Sequence, residues 1–155
     1  MNKNILQVHG ECCIHHGGPC RPMRARLHVA GTECIHFSRQ SPTRPGTRGS
    51  RMVYFFVWIA QRRQMREEFI IHENVEDFPP SLLEDLLGDL YELSGTSVFC
   101  CSTQGVAYER KRRWTFLVLR NSPTMAAIAA GQRLLPSWPN FKDLFARECS
   151  WTWES

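Results

Sequence analysis

The chain has 155 residues, 43% of them hydrophobic and 22% charged, with a formal net charge of +4; this is one domain's length and an ordinary globular balance. Its longest apolar run, Met52 to Ala60, is about half of the ~18 residues a membrane-spanning helix needs, and the first residues lack the long apolar stretch of a secretory signal. The expectation is an intracellular protein with no membrane partner, nuclear if the source is eukaryotic, whose seven cysteines are reduced thiols and not a disulfide framework.

Charge is segregated along the chain. Between Arg21 and Arg66 stand ten arginines and one acid, Glu33; between Glu67 and Glu92 stand nine acids and no Lys or Arg. Lysine occurs only at Lys3, Lys111 and Lys142. Arginine's planar fork suits phosphate and base edges, so the arginine block points to a nucleic-acid partner. A solvated basic surface is the simpler alternative.

Residues 1–26 are rich in Cys, His, Gly and Pro without a period and read as an irregular segment. A short strand is predicted over 26–31, followed by a mobile basic loop over 38–50 with two Pro, two Gly and three Arg. Residues 51–68 predict a helix, with Val53, Phe56, Val57 and Ala60 on one face. Residues 68–75 read as a buried strand. Residues 80–93 show apolar positions 82, 83, 86, 87, 90 and 93 at helical spacing, with Pro80 and Ser81 at the start. Two strands are predicted over 96–102 and 113–120, and Asn140 could cap a short helix bearing Phe141, Leu144 and Phe145. This order predicts an α/β layered domain with helices crossing over a largely parallel sheet. It divides the chain into an irregular segment over 1–26, a core over 27–120 and an extension over 121–155.

In such sheets chemistry collects at the carboxyl ends of strands. Cys34 follows the first strand beside arginines, where positive charge favours a thiolate; a buried structural cysteine is the alternative. Glu73 sits at the end of another strand and could serve as acid, base or hydrogen-bond partner to a heterocycle, or simply cap a turn. His72 reads as a satisfied strand histidine. Arg110 and Arg112 are two apart, so an extended backbone points both to one face, as an anion clamp or as a charged edge that resists aggregation.

Taken in order, these clusters resemble the C5-cytosine DNA methyltransferase family. That family has a Pro-Cys-x-x-Phe-Ser loop after a strand and then a helix led by Arg-Gly. A strand ending in Glu-Asn-Val follows, then a Gln-x-Arg-x-Arg segment leading into another strand. Here Cys34, Phe37 and Ser38 match the first, Arg48-Gly49 the second, and Glu73-Asn74-Val75 with Phe78 the third. Tyr108-Glu109-Arg110-Lys111-Arg112, preceded by Gly105-Val106, matches the fourth with Tyr in place of Gln. Glu33 stands where the family has Pro.

The resemblance covers about residues 26–120 and implies a partial Rossmann-like sheet with flanking helices that uses S-adenosylmethionine. It implies that Cys34 adds to C6 of a flipped-out cytosine, that Glu73 supports N3, and that Arg110 and Arg112 orient the base. It also implies that Ser38, Arg39, Arg44 and Arg48 approach DNA. An RNA substrate fits the same residues. Nothing before Leu27 matches the family's glycine-rich cofactor loop, and nothing after Arg120 matches its target-recognition domain or closing helix, so only the middle of a catalytic domain is expected.

Two other classes compete. The chain could be a non-catalytic relic that binds nucleic acid. Alternatively Cys12, Cys13, His15, His16 and Cys20 could hold zinc, with His28, Cys34 or His36 completing the set.

Overall fold

The computed structural model describes residues 24–39, 42, 45–103 and 108–131. Among the described residues four strands form one mixed sheet: β1 (Leu27–Gly31), β2 (Phe69–Val75), β3 (Tyr91–Cys100) and β4 (Lys111–Leu119), in the order β1-β2-β4-β3. Three α-helices among the described residues accompany it: α1 (Met52–Met65), α2 (Ser81–Leu87) and α3 (Pro123–Ala129). The α/β layering expected from the sequence is present. β1, β2 and β3 run in one direction, as expected of a largely parallel sheet, and β4 runs antiparallel between β2 and β3, so that β1 with β2 is the one parallel pairing among the described strands. The β3 to β4 connection is short enough to turn straight back, which forces antiparallel pairing, whereas α1 gives β1 and β2 the crossover a parallel pair requires.

The second helix ends earlier than its apolar spacing suggests. α2 stops at Leu87, with the Gly88 N–H donating to the Glu84 carbonyl at 2.8 Å. Tyr91, Glu92 and Leu93 pair instead with Leu119, Val118 and Leu117 of β4. Gly88 interrupts the helix, and the gain of a strand ladder outweighs the helical period at positions 90 and 93.

The buried face of α1 is also not the expected one. Val53 and Phe56 are 47% and 41% exposed, while Met52, Phe55, Trp58 and Ile59 are buried. The run Met52–Ala60 is apolar on every side, so periodicity cannot choose a face; the larger rings settle the matter by packing on β2. Phe55 and Trp58 meet His72 and, with Phe78, form one aromatic cluster with centroids 4.9–6.2 Å apart. Ile70, Leu83, Leu87, Tyr91, Leu117 and Leu119 continue the core beneath it.

Many of the segregated charges face one another. Arg26 pairs with Glu68 at 2.8 Å, Arg63 with Asp89 at 2.5 Å, and the buried Arg62 with the buried Glu67. Arg39 holds Asp77 through two bonds of 2.8 and 3.0 Å. The arginine block and the acidic block are thus partly an internal complement, with surface pairs contributing little each and the buried pair costly to break.

Among the described residues no helix is long and apolar enough to cross a membrane, and no three His, Cys, Asp or Glu side chains converge as a metal site. The cluster Cys12, Cys13, His15, His16 and Cys20, the expected helix after Asn140, and Arg44 lie outside the described residues.

Candidate active site

The parallel register of β1 and β2 sets Gly31 beside Glu73. Alternation along β2 buries Ile70, His72 and Asn74 on one face and turns Glu73 to the other. The Glu73 carboxylate folds over Gly31 so closely that a Cβ there would lie 2.8 Å from Oε2. Its other oxygen receives Arg112 Nε at 2.7 Å. Arg112 lies two positions from Trp114, the residue opposite Glu73 on β4, so it shares Glu73's face and reaches it diagonally. The structure thus brings Glu73 and Arg112 together, whereas the pairing expected from the sequence was of Arg112 with Arg110. Arg110 precedes β4 and is exposed, with its backbone N–H donating to Cys100 Sγ at 3.1 Å.

Cys34 occupies the tight loop that follows β1. The N–H groups of Phe37 and Ser38 both donate to its carbonyl, at 3.0 and 2.9 Å. Phe37 anchors the loop by an edge-on contact with Phe78, centroids 5.1 Å apart. Cys34 itself is partly exposed and not in a disulfide. Glu33, at the family's proline position, is held by Arg51 at 2.8 Å. Ser38 is partly exposed, and Arg48 is exposed in a single 3-10 turn, Gly46–Arg48. Arg39 binds Asp77, which ties the Cys34 loop to the segment after β2.

Sequence reasoning missed Thr32 and the contacts by which His72, read as a satisfied strand histidine, and Asn74 hold this loop against β2. The Thr32 hydroxyl shares a 2.7 Å hydrogen bond with His72 Nε2 and accepts Asn74 Nδ2 at 3.0 Å. Asn74 Nδ2 also lies 3.3 Å from the Thr32 carbonyl, and Asn74 Oδ1 accepts the Val75 N–H at 2.9 Å. His72 Nδ1 is buried without a hydrogen-bonding partner. An orphaned N–H costs more than an orphaned lone pair, which assigns the proton to Nε2 and makes the histidine the donor to Thr32. Burial lowers the His72 pKa to about 4, so the ring is neutral near pH 7. The signal was present in the strand's period of two, which places 72 and 74 inward together. Replacing Thr32 with Val keeps the shape and leaves His72 Nε2–H without an acceptor; a loss of about 1–3 kcal/mol is expected in chemical denaturation.

His36 is the other missed residue. It is 8% exposed, and its Nε2 accepts the Arg51 N–H at 3.1 Å, at the start of α1. Gly49 permits this approach, because a Cβ there would lie 2.2 Å from the imidazole ring. The Arg48-Gly49 pair therefore matters locally through its glycine.

No protein-family model matches the sequence, and no curated protein does. Among solved structures the fold is similar to a protein described as a DNA modification methyltransferase encoded within an E. coli prophage, with TM-score 0.49 and 17% identity over 63% of this chain and 28% of that one. A Spodoptera frugiperda DNMT2 variant gives 0.45 and 22% over 64% and 31%. S. pombe Dnmt2 methyltransferase gives 0.44 and 15% over 73% and 35%. The chain thus spans 28–35% of the length of these proteins.

Proposed function

We propose that this chain is the base-handling part of a C5-cytosine methyltransferase core acting on DNA. The observation that carries the reading is the joining of the Cys34 loop to the Glu73 strand: β1 and β2 open at the same sheet end, Thr32 is bonded to His72 and Asn74, and Arg112 grips Glu73. Four motifs in family order fall on these elements.

The C5 carbon of cytosine is a weak nucleophile. In the proposed reaction the Cys34 thiolate bonds to C6, the 5,6 double bond opens, and electron density moves onto C5 and the N3 side of the ring. Glu73 supports that charge by holding a proton at N3, and Arg112 fixes the direction of the carboxylate. Loss of the C5 proton and departure of the thiolate restore the ring. The base must leave the duplex to meet these groups, and Ser38, Arg39 and Arg48, with Arg44 and the exposed Arg110, are the proposed backbone contacts. The implied methyl donor, S-adenosylmethionine, would supply the methyl group that C5 gains before its proton is lost. Among the described residues no glycine-rich turn joins a strand to a helix in the way that would hold it, so the reading extends to the base and not to the donor.

The test uses two DNA duplexes. One carries a 2-pyrimidinone, whose C6 accepts a thiol without any methyl transfer; the other carries 5-fluorocytosine and is given S-adenosylmethionine, so that a methylated adduct cannot lose fluorine. A denaturant-resistant adduct on the first duplex, absent in Cys34→Ser, is the expected result. An adduct on the second extends the reading to complete methyl transfer. No adduct on either, from folded protein, overturns it.

A further inference from the structure

Cys100 and Cys101 lie where β3 gives way to the 3-10 turn Cys101–Thr103. Both sulfurs face the same three residues that lead into β4. Cys100 Sγ accepts the Arg110 N–H at 3.1 Å, and the Cys101 thiol donates to the Tyr108 carbonyl at 2.7 Å. The Cys101 N–H also reaches the Arg110 carbonyl at 3.4 Å. Neither cysteine is in a disulfide. We propose that Cys100 and Cys101 form a redox modification site, oxidised by hydroperoxides to a disulfide between neighbours that releases the entry to β4.

The two thiols are set up for different parts of this reaction. Hydrogen bonds from the Ser102 side chain and backbone, and from the Arg110 N–H, hold the Cys100 thiol below its usual pKa, which favours the nucleophilic thiolate. The Cys101 thiol is directed at the Tyr108 carbonyl. The Cys100 thiolate attacks the outer peroxide oxygen, the O–O bond breaks, and the leaving alkoxide or hydroxide takes a proton, giving Cys100 sulfenic acid. The Cys101 sulfur then bonds to the Cys100 sulfur as its own proton and the sulfenic hydroxyl leave as water. Two thiols are oxidised and one hydroperoxide is reduced to water and an alcohol.

Adjacent residues bring the sulfurs together with almost no loop to close. The ring this makes is small and strained, so the disulfide is readily reduced, which marks a reversible site and not a structural one. Oxidation removes the thiol proton that Cys101 donates and the anionic character that lets Cys100 accept. Tyr108 and Arg110 then lose two of their three ties to the end of β3. Arg112, two residues further on, is the partner of Glu73. The inference stands on the thiol geometry and does not require the proposed reaction.

The experiment uses the full reduced chain, a few equivalents of hydrogen peroxide, alkylation with iodoacetamide and tryptic mass spectrometry. Residues 67–110 contain no Lys or Arg before Arg110 and only these two cysteines, so one peptide reports on the site. It should appear unalkylated and lighter by two hydrogens, and return to the doubly alkylated form after dithiothreitol, while the peptide over 27–39 still alkylates at Cys34. Cys101→Ser should trap a dimedone-reactive sulfenic acid at Cys100. Amide exchange at residues 111–113 should quicken in the oxidised protein. A doubly alkylated peptide at a peroxide dose that oxidises free glutathione, or pairing of either thiol with a third cysteine, overturns the site. Unchanged exchange overturns the release of β4.

Discussion

Adding one methyl group at Gly49 is expected to cost about 1–3 kcal/mol, the usual range for forcing extra volume into a packed place. Gly49 has φ −68° and ψ 139°, a conformation open to any residue, so the cost is not backbone strain. It comes from the imidazole of His36, whose ring atoms stand 2.2–2.3 Å from where the Cβ would be. His36 cannot simply rotate away, because its Nε2 accepts the Arg51 N–H at the start of α1. That N–H is one of the unpaired donors of a helix start, and Arg51 provides no side-chain cap of its own. The Gly49→Ala protein should therefore yield either at the helix start or at the Cys34 loop. Since the Gly46 N–H also donates to the His36 carbonyl at 3.1 Å, both ends of the basic loop should loosen. Urea denaturation of Gly49→Ala, His36→Ala and the double variant checks this. The steric account requires the double variant to be more stable than the two separate losses predict, because removing the ring makes room for the methyl. Strict additivity would refute it.

The sequence carries the elements of this fold more clearly than their relations. The β2 strand is legible because its apolar and β-branched run is compact, and α1 because its length and polar continuation exceed a strand. The buried side of α1 was not legible: Val53 and Phe56 are as apolar as Phe55 and Trp58, and only the sheet beneath distinguishes them. The start of β3 was hidden because Leu90 and Leu93 serve a helical period and a strand equally well. Charge is ambiguous for a similar reason. A local excess of arginine suggests an anionic ligand, yet Arg26, Arg39 and Arg63 are answered by acids distant in sequence, and Arg62 by Glu67 close by. At the site, Glu73 and Arg112 were foreseen from motif order and the structure brings them together. Thr32 and His36 were not, and His72 was legible only as a satisfied strand histidine, since their roles are contacts across 15 to 42 residues of chain, made where β1 pairs with β2 and where the Cys34 loop meets the start of α1.

Acid should unfold the protein through two histidines that the fold keeps neutral. His72 has a pKa of about 4 because burial disfavours its charged form; protonation would also place an N–H at Nδ1, facing aromatic rings with nothing to accept it. His28 is likewise lowered to about 4, first by burial and then by the nearby Arg62 guanidinium. Its Nε2 accepts the Trp58 indole N–H at 3.0 Å, a bond the charged ring cannot make. Glu67 lies 4.0 Å from His28 Nδ1 and would favour the charge, but its carboxylate is already bound by Arg62, and the depressed value is the consistent one. In the unfolded chain both imidazoles return to about 6.5. The folded pKa lies below the unfolded one, so the unfolded state takes up protons first. Stability is then full above about pH 6.5 and falls as pH drops, until the loss is complete below about 4. Each histidine should add a slope approaching 1.4 kcal/mol per pH unit in that window, roughly 3 kcal/mol in all for His72 and less for the partly exposed His28. Urea unfolding at pH 7.5, 6, 5 and 4.5 measures the slope. In His72→Leu the protein should be less stable at pH 7.5, because Thr32 and Asn74 lose a partner, yet its stability should fall about half as steeply on acidification. A variant with the wild-type slope would show that His72 is charged in the fold, and the neutral donor assigned to Thr32 would then be wrong.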